Sequence, residues 1–160
     1  ALWMDYQATN GATGANDLGG ELLTRVADGT VRLELHDLAL LGEESVTAGV
    51  ALRCIYAQGG PTWLIHDILA VSARGKDSGI YTPENLLRLT SQLGLDVAAF
   101  DACLTDPAVA QAVRDETAEG KAAGLTEGPA IVVSAGGKET ARFTGALDTA
   151  KVLAAIDAAK

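Results

Sequence analysis

Apolar and polar positions follow two different periods in the first part of the chain, and each period predicts one kind of element. Residues 1–7 open with a short apolar run that indicates a buried strand, and residues 18–26 carry apolar side chains at helical spacing. Residues 31–36 alternate between apolar and polar side chains, as a half-buried strand does. A strand, a helix and a second strand at this spacing predict a parallel β-α-β unit.

The middle of the chain predicts helices only. Ser45 is predicted to cap a helix that runs to about residue 58, and a second apolar stretch covers residues 62–73. Three further helices are predicted to begin after polar capping residues, two of which are followed by the proline typical of a first helical position: Thr82-Pro83, Asp96 and Asp106-Pro107.

The chain changes character after about residue 123. Residues 130–134 form a continuous apolar strand, Gly136-Gly137 predicts a tight hairpin turn, and residues 140–144 form the return strand. Asp148 is predicted to cap a final amphipathic helix over 149–159. We therefore predict an α/β fold with a four-stranded mixed sheet, built as one domain over residues 1–160 with a helical insertion at about 45–123.

Composition excludes several classes of function. The 160 residues are 48% hydrophobic and 21% charged, which is typical of a globular chain, and the net charge is −9. No cluster of Lys and Arg is visible, so we expect neither nucleic acid nor an anionic membrane surface as a partner. No apolar run approaches the roughly 18 residues of a membrane span.

Several segments spread over nearly the whole chain resemble the DsbA-like branch of the thioredoxin superfamily. Each segment is weakly specific alone, but the set occurs in the family's order and at workable spacing. The resemblance implies a thioredoxin-like fold, in which the β-α-β unit is followed by a helical insertion and then by β-β-α. The segments are 5–7, 29–33, 36–40, Cys54 with 58–59, Trp63 with 66–67, 100–104, 124–133 and 143–146.

The resemblance places the family's Cys-x-x-Cys directly after the first strand, where this chain has other residues. Ala8, Thr9, Asn10 and Gly11 stand at these four positions. A thiolate is the attacking species in disulfide exchange, and neither Ala8 nor Gly11 can supply one. We therefore expect no catalytic residue here. The segment could still bind an anion or a carbonyl oxygen through helix N-terminal N–H groups, and a loop without a ligand is the favoured alternative.

Gly128 and Pro129 are the best candidates for a surviving binding site. In the family that the chain resembles, the proline at this place is cis and faces the active-site slot, where backbone groups pair with an extended peptide. The alternative is an ordinary Gly-Pro turn that enters a strand.

Cys54 and Cys103 are the two cysteines of the chain. They resemble a second, structural disulfide that joins two insertion helices in some DsbA-like proteins. Two buried free thiols in a reducing compartment remain an alternative, and a redox-active pair is the least favoured one. The resemblance favours an extracytoplasmic protein, secreted or membrane-tethered, whose leader is not part of this chain, with a cytoplasmic location left open.

The remaining candidates for chemistry give no cofactor or metal site. The two histidines, His36 and His66, could join the cysteines as zinc ligands only at spacings that match no zinc motif. Asp5 resembles the acid that tunes the cysteines in thioredoxin-like enzymes, but it has no cysteine to act on here. We expect these three residues to be structural.

Three functions fit these observations. The favoured one is a redox-inactive module that uses the cis-proline groove to bind an extended peptide or a protein partner. The second is a glutathione-dependent transferase or isomerase with a non-cysteine site, although no Ser lies between residues 1 and 30 and Thr9 or Thr13 would have to replace it. The third is residual thiol-disulfide exchange through Cys54 and Cys103. The sequence predicts no oligomeric state.

Overall fold

The structure is a computed structural model of the 160-residue chain. It describes residues 1–4 and 15–159, without the side chains of 15–17. The strands are β1 (Leu2–Met4), β2 (Leu35–Asp37), β3 (Ala130–Ala135) and β4 (Lys138–Thr144). The helices are α1 (Ala15–Ala27), α2 (Glu43–Ala57), α3 (Thr62–Ser72), α4 (Pro83–Gln92), α5 (Val97–Leu104), α6 (Pro107–Ala122) and α7 (Thr149–Ala158).

The four strands form one mixed sheet in the order β2-β1-β3-β4. β1 pairs with β2 in parallel, while β3 runs antiparallel to both β1 and β4. Leu2 lies at the centre of this arrangement, opposite Leu35 on one side and Ile131 on the other. This architecture confirms the predicted α/β class and the thioredoxin-like sheet. Along the described part of the chain, the helices α2 to α6 all come after β2 and before β3.

Polar capping residues begin four of the helices at the predicted positions. Each cap has an extended backbone, and its side chain accepts a hydrogen bond from an N–H of the first turn, so that one unpaired helix donor is satisfied. The four capping residues are Thr82, Asp96, Asp106 and Asp148.

Two predicted element starts are wrong. α2 begins at Glu43 rather than after Ser45, because Gly42 turns the chain with a φ of 106° and leaves Ser45 buried inside the helix. Strand β2 begins at Leu35 rather than at residue 31. The N–H of Val31 donates to the carbonyl of Arg25, so residue 31 belongs to the turn that closes α1.

Alternation along β1 divides the core between the two faces of the sheet. Leu2 and Met4 are buried in the main core, whereas Trp3 points to the opposite face and packs against a smaller cluster around Leu38. Gly120 of α6 lets that helix approach Trp3 closely, because a Cβ at Gly120 would lie 2.9 Å from the indole ring. None of the helices in the described ranges is both long and apolar enough to span a membrane.

Candidate functional site

An apolar cavity of about 290 Å³ opens between the main-core face of the sheet and the helices α1 and α3. Its floor is formed by Leu2, Met4 and Ile131 of the sheet, and Pro129 lies at the end where β3 begins. We call this cavity the Pro129 groove. Its volume is close to the lower end of the roughly 300–1,000 Å³ that is typical of ligand pockets.

The predicted residues Gly128 and Pro129 lie together at this end of the groove. Both are half-buried, and the peptide bond between them is cis. The carbonyl of Pro129 accepts a hydrogen bond from the N–H of Gly145. No hydrogen bond between described residues involves Gly128. A backbone N–H and a carbonyl therefore lie beside an apolar cavity without a partner in the described part of the chain.

On the α1 side, two of the residues that line the groove are glycines, which have no side chain to narrow it. Gly19 and Gly20 line the cavity between Leu18 and Leu22, and a Cβ at either glycine would meet no atom of the described residues outside its own stretch of helix within 4 Å. A glycine inside a helix costs about 1 kcal/mol relative to alanine. The absence of larger side chains at these two positions leaves room in the cavity, at the expense of helix stability.

The α3 wall contributes Trp63, His66 and Asp67, which the sequence reasoning did not place in the groove. His66 is 7% exposed, packs edge-on against Trp63 and contacts Asp67 with 3.1 Å between Nδ1 and Oδ1. Burial lowers the pKa of His66 below its usual value, although the carboxylate of Asp67 acts in the opposite direction. His66 is therefore neutral at pH 7. Its helical position beside Trp63 was the only sequence signal.

Cys54 and Cys103 are joined in a disulfide between α2 and α5, with 5.8 Å between their Cα atoms. Cys54 is 1% exposed, and neither cysteine lines the Pro129 groove. Because the chain has two cysteines in all, no thiol remains free. Because both sulfurs are in the disulfide, neither Cys54 nor Cys103 can join His36 and His66 as a zinc ligand.

The segment Ala8, Thr9, Asn10 and Gly11 lies outside the described residues, as does Asp5. The same holds for Thr13. The expectations for these positions therefore remain those of the sequence.

A second site of concentrated charge lies at the outer edge of β2. Arg53 donates from Nε to Asp37 at 2.6 Å and from Nη2 to Glu116 at 2.7 Å, and the Nδ1 of His36 lies 2.7 Å from the other oxygen of Glu116. We call these four residues the β2 cluster. The His36 ring stacks on Trp3 with 4.5 Å between ring centroids. The sequence reasoning gave His36 a structural role but did not find its partners.

Burial and pairing act in opposite directions on the two carboxyl groups of the β2 cluster. Burial raises the pKa of Asp37 even though Arg53 donates to it. Burial alone would raise the pKa of Glu116 as well, but the N–H of Asp37, the His36 ring and Arg53 together lower it. The guanidinium of Arg53 therefore contacts two different carboxyl groups. Glu116 ionises more readily than an ordinary glutamate, and Asp37 ionises less readily than an ordinary aspartate.

The β2 cluster covers an edge of the sheet. Glu116 accepts the backbone N–H of Asp37 at 2.8 Å, and the hydroxyl of Thr117 accepts the N–H of Ala39 at 2.9 Å. These N–H groups belong to the outer side of the edge strand and to the residues that follow it. Side chains of α6 therefore occupy donors that another strand could otherwise pair with.

The two sites differ in what they can do chemically. The Pro129 groove can accept an apolar side chain and can pair with a peptide backbone at Gly128. It brings no free thiol and no hydroxyl–base pair together among the described residues. No group of three or more His, Cys, Asp or Glu in the described ranges is arranged to hold a metal ion.

Comparison with known proteins agrees with this fold. A family model described as Thioredoxin matches residues 1–158, and the chain belongs to the thioredoxin family. A search of curated proteins finds no match.

Two solved structures superpose on nearly the whole chain. One is a thioredoxin-like oxidoreductase from Silicibacter pomeroyi DSS-3, with a TM-score of 0.69 and 20% identity, covering 99% of this chain and 83% of the other. The second is the thiol-disulfide exchange protein alpha-DsbA2 from Wolbachia pipientis, with a TM-score of 0.71 and 18% identity, covering 99% of this chain and 80% of the other. At these identities the likeness shows the fold.

Proposed function

We propose that this protein is a redox-inactive member of the thioredoxin family that binds an extended peptide segment in the Pro129 groove. The peptide places an apolar side chain in the cavity and pairs its backbone with Gly128. Ala8, Thr9, Asn10 and Gly11 replace the family's catalytic cysteine motif, so the bound segment is held without disulfide exchange. The observation that carries the proposal is an apolar cavity that begins at Pro129, beside the backbone of Gly128, which has no hydrogen-bond partner among the described residues, in a chain with no free thiol.

The position of Gly128 supports backbone pairing. An extended peptide that adds to a sheet gains affinity from main-chain hydrogen bonds and specificity from pockets for its side chains. Gly128 lies two residues before β3, and the cavity begins at Pro129, directly before the strand. One peptide can therefore use both features at once.

The place of the sulfur atoms supports redox inactivity. Reactive cysteines lie in exposed, electropositive settings, where the thiolate is stabilised. Cys54 is buried and lies inside α2, and both cysteines are away from the groove. A disulfide of this kind also supports an extracytoplasmic location, since such bonds persist in oxidising compartments.

A direct test measures peptide binding by fluorescence anisotropy. The probe is the fluorescein-labelled, blocked peptide Gly-Ser-Ala-Phe-Ala-Ser-Gly, titrated with the full chain. Two variants form a matched pair: Gly19→Ala leaves the cavity open, whereas Gly19→Phe projects a ring into it from the same position. We expect the parent and Gly19→Ala to bind the probe and Gly19→Phe to lose at least most of that affinity. Equal binding by all three proteins, or no binding by any, overturns the groove as the binding site.

A second assay tests redox inactivity. We expect insulin reduction with glutathione as the reductant to proceed at the rate of buffer alone. Turnover above that rate that disappears in Cys54→Ser contradicts the proposal and assigns the activity to the disulfide. Binding of glutathione itself, measured by calorimetry and lost in Gly19→Phe, also contradicts it and favours a glutathione-dependent enzyme.

A further inference from the structure

Asp67 places an uncompensated negative charge at the rim of the Pro129 groove. Its side chain is 73% exposed, and the only basic group within 4 Å of its carboxylate in the described residues is His66. No Lys or Arg lines the groove. Burial keeps His66 neutral at pH 7, so the histidine does not offset the charge.

Two acidic residues of α7 and its cap have cationic partners. Arg25 of α1 pairs with Asp157 of α7 at 2.6 Å, and Lys151 pairs with Asp148 at 3.4 Å. The nearby cations are thus engaged with other carboxylates. Asp67 is the acidic residue that lines the groove, and no Lys or Arg among the described residues pairs with it.

Glu127 places a second carboxylate near Pro129, outside the residues that line the groove. A Cβ at Gly145 would lie 3.2 Å from Oε1 of Glu127, and the N–H of Gly145 donates to the carbonyl of Pro129. Glu127 accepts a hydrogen bond from the hydroxyl of Thr144 at 3.1 Å but lies within 4 Å of no cation in the described part of the chain. One acid, Asp67 of α3, therefore lines the cavity, and a second, Glu127 of the segment between α6 and β3, lies near its Pro129 end.

We propose that the Pro129 groove selects extended peptides in which an apolar side chain is flanked by Lys or Arg. This inference rests on the proposed peptide-binding function and adds the class of peptide. The apolar residue enters the cavity, and the flanking cations meet Asp67 on one side and Glu127 on the other. A second copy of this chain is a poor occupant, because each copy carries a net charge of −9.

Exposed ion pairs are weak, so the preference is one of moderate size. A single surface pair changes an association constant by about fivefold at most at low salt. Like charges at the same positions disfavour binding, which widens the difference between basic and acidic peptides. The preference also falls as salt screens the exposed charges.

The test uses three blocked, fluorescein-labelled peptides that differ only in the residues on either side of one Phe. The series is Gly-Ser-Lys-Phe-Lys-Ser-Gly, its Ala-Phe-Ala counterpart and its Glu-Phe-Glu counterpart. Binding is measured at 20 and 300 mM NaCl for the parent and for Asp67→Asn/Glu127→Gln. The matched control Asp101→Asn/Glu119→Gln removes two exposed, unpaired acids from α5 and α6 and so changes the net charge equally.

We expect the parent at low salt to bind the Lys peptide about fivefold more tightly than the Ala peptide and the Glu peptide more weakly than either. Asp67→Asn/Glu127→Gln is expected to bind all three within about twofold, while the control keeps the order of the parent. Equal binding of the three peptides by the parent, or an equal loss of preference in the control, overturns the inference and leaves the proposed function intact. Absence of binding to every peptide contradicts the proposed function itself.

Discussion

The Pro129 groove and the β2 cluster are neighbours that differ in whether their polar groups are paired with other groups of the protein. Leu33 and Trp63 line both the groove and the cleft of about 800 Å³ beside the cluster. In the cluster, Arg53 joins two carboxylates and α6 covers the strand edge, so the polar groups satisfy one another. Among the described residues, nothing covers the apolar surface of the groove, Gly128 has no hydrogen-bond partner and Asp67 pairs with no Lys or Arg.

This difference indicates which region holds the fold together and which one is available to a partner. A network whose charges are all paired internally has little to gain from a ligand and much to lose from a missing member. An apolar cavity beside backbone groups that no described residue pairs gains by being filled. The predictions below separate the two regions by stability and by binding.

The largest effect is expected from Arg53→Ala, which leaves Asp37 and Glu116 facing each other without the guanidinium. Loss of one partner from a fully buried pair costs roughly 3–5 kcal/mol. Because the side chain of Arg53 is 36% exposed, we expect a smaller loss of about 2 kcal/mol in the free energy of unfolding. Urea denaturation at pH 7 measures it.

The control for this variant is Arg114→Ala, which removes the exposed ion pair with Glu43. We expect it to cost less than about 1 kcal/mol. Peptide affinity is expected to stay unchanged in both variants at equal folded fraction. Equal losses of stability in the two variants would show that the β2 cluster is no more than a surface ion pair.

Gly49→Ala tests how closely the β2 cluster is packed. A Cβ at Gly49 of α2 would lie 2.6 Å from Oδ1 of Asp37, and Arg53 holds that carboxylate in place. Overpacking costs about 1–3 kcal/mol, while the helix gains about 1 kcal/mol from the alanine. We expect a net loss of up to about 2 kcal/mol by urea denaturation. A gain in stability would mean that Asp37 moves freely and that the cluster is loosely held.

Gly19→Ala makes the same substitution in the open region and is expected to have the opposite sign. A Cβ at Gly19 meets nothing within 4 Å, so only the higher helix propensity of alanine remains. The free energy of unfolding should rise by about 0.5–1 kcal/mol. A decrease, measured alongside Gly49→Ala under the same conditions, would contradict an open cavity at this wall.

The smallest effect concerns pH and His66. Its pKa is lowered by burial, so its contribution to stability is present above the unfolded-state value of 6.5 and is lost as the pH falls through the folded-state pKa. We expect the urea midpoint of the parent to drop between pH 7.5 and 5 by more than that of His66→Gln, which does not titrate. Parallel midpoints for the two proteins would mean that His66 accepts a proton without cost in the folded state.

Local signals account for much of the fold. Thr82, Asp96, Asp106 and Asp148 act as caps because capping depends on residues within one turn, and Gly136-Gly137 separates β3 from β4 as predicted. The start of α2 was missed because the helix begins after Gly42, which has a positive φ, and not after Ser45, whose hydroxyl was the predicted cap.

The site was less accessible to sequence reasoning. Pro129 was found through the family resemblance, but the α3 wall lies more than 60 residues away in the chain and meets it only through tertiary packing. His66 gave no separate signal, since a histidine in an apolar helix is typical of a core position. The β2 cluster combines Asp37, Arg53 and Glu116 from a strand and two helices, and no spacing along the sequence brings them together.

The most direct test of the central claim uses Met4, the one methionine of the chain. Met4 lies on the floor of the Pro129 groove and is 3% exposed, so its ¹³C-labelled methyl group gives a single resonance that reports on the cavity. We expect the peptide Gly-Ser-Lys-Phe-Lys-Ser-Gly to shift this resonance through the ring current of its Phe and to leave it unmoved in Gly19→Phe. A methyl resonance that stays in place while the peptide binds would show that binding occurs elsewhere and would contradict the groove as the binding site.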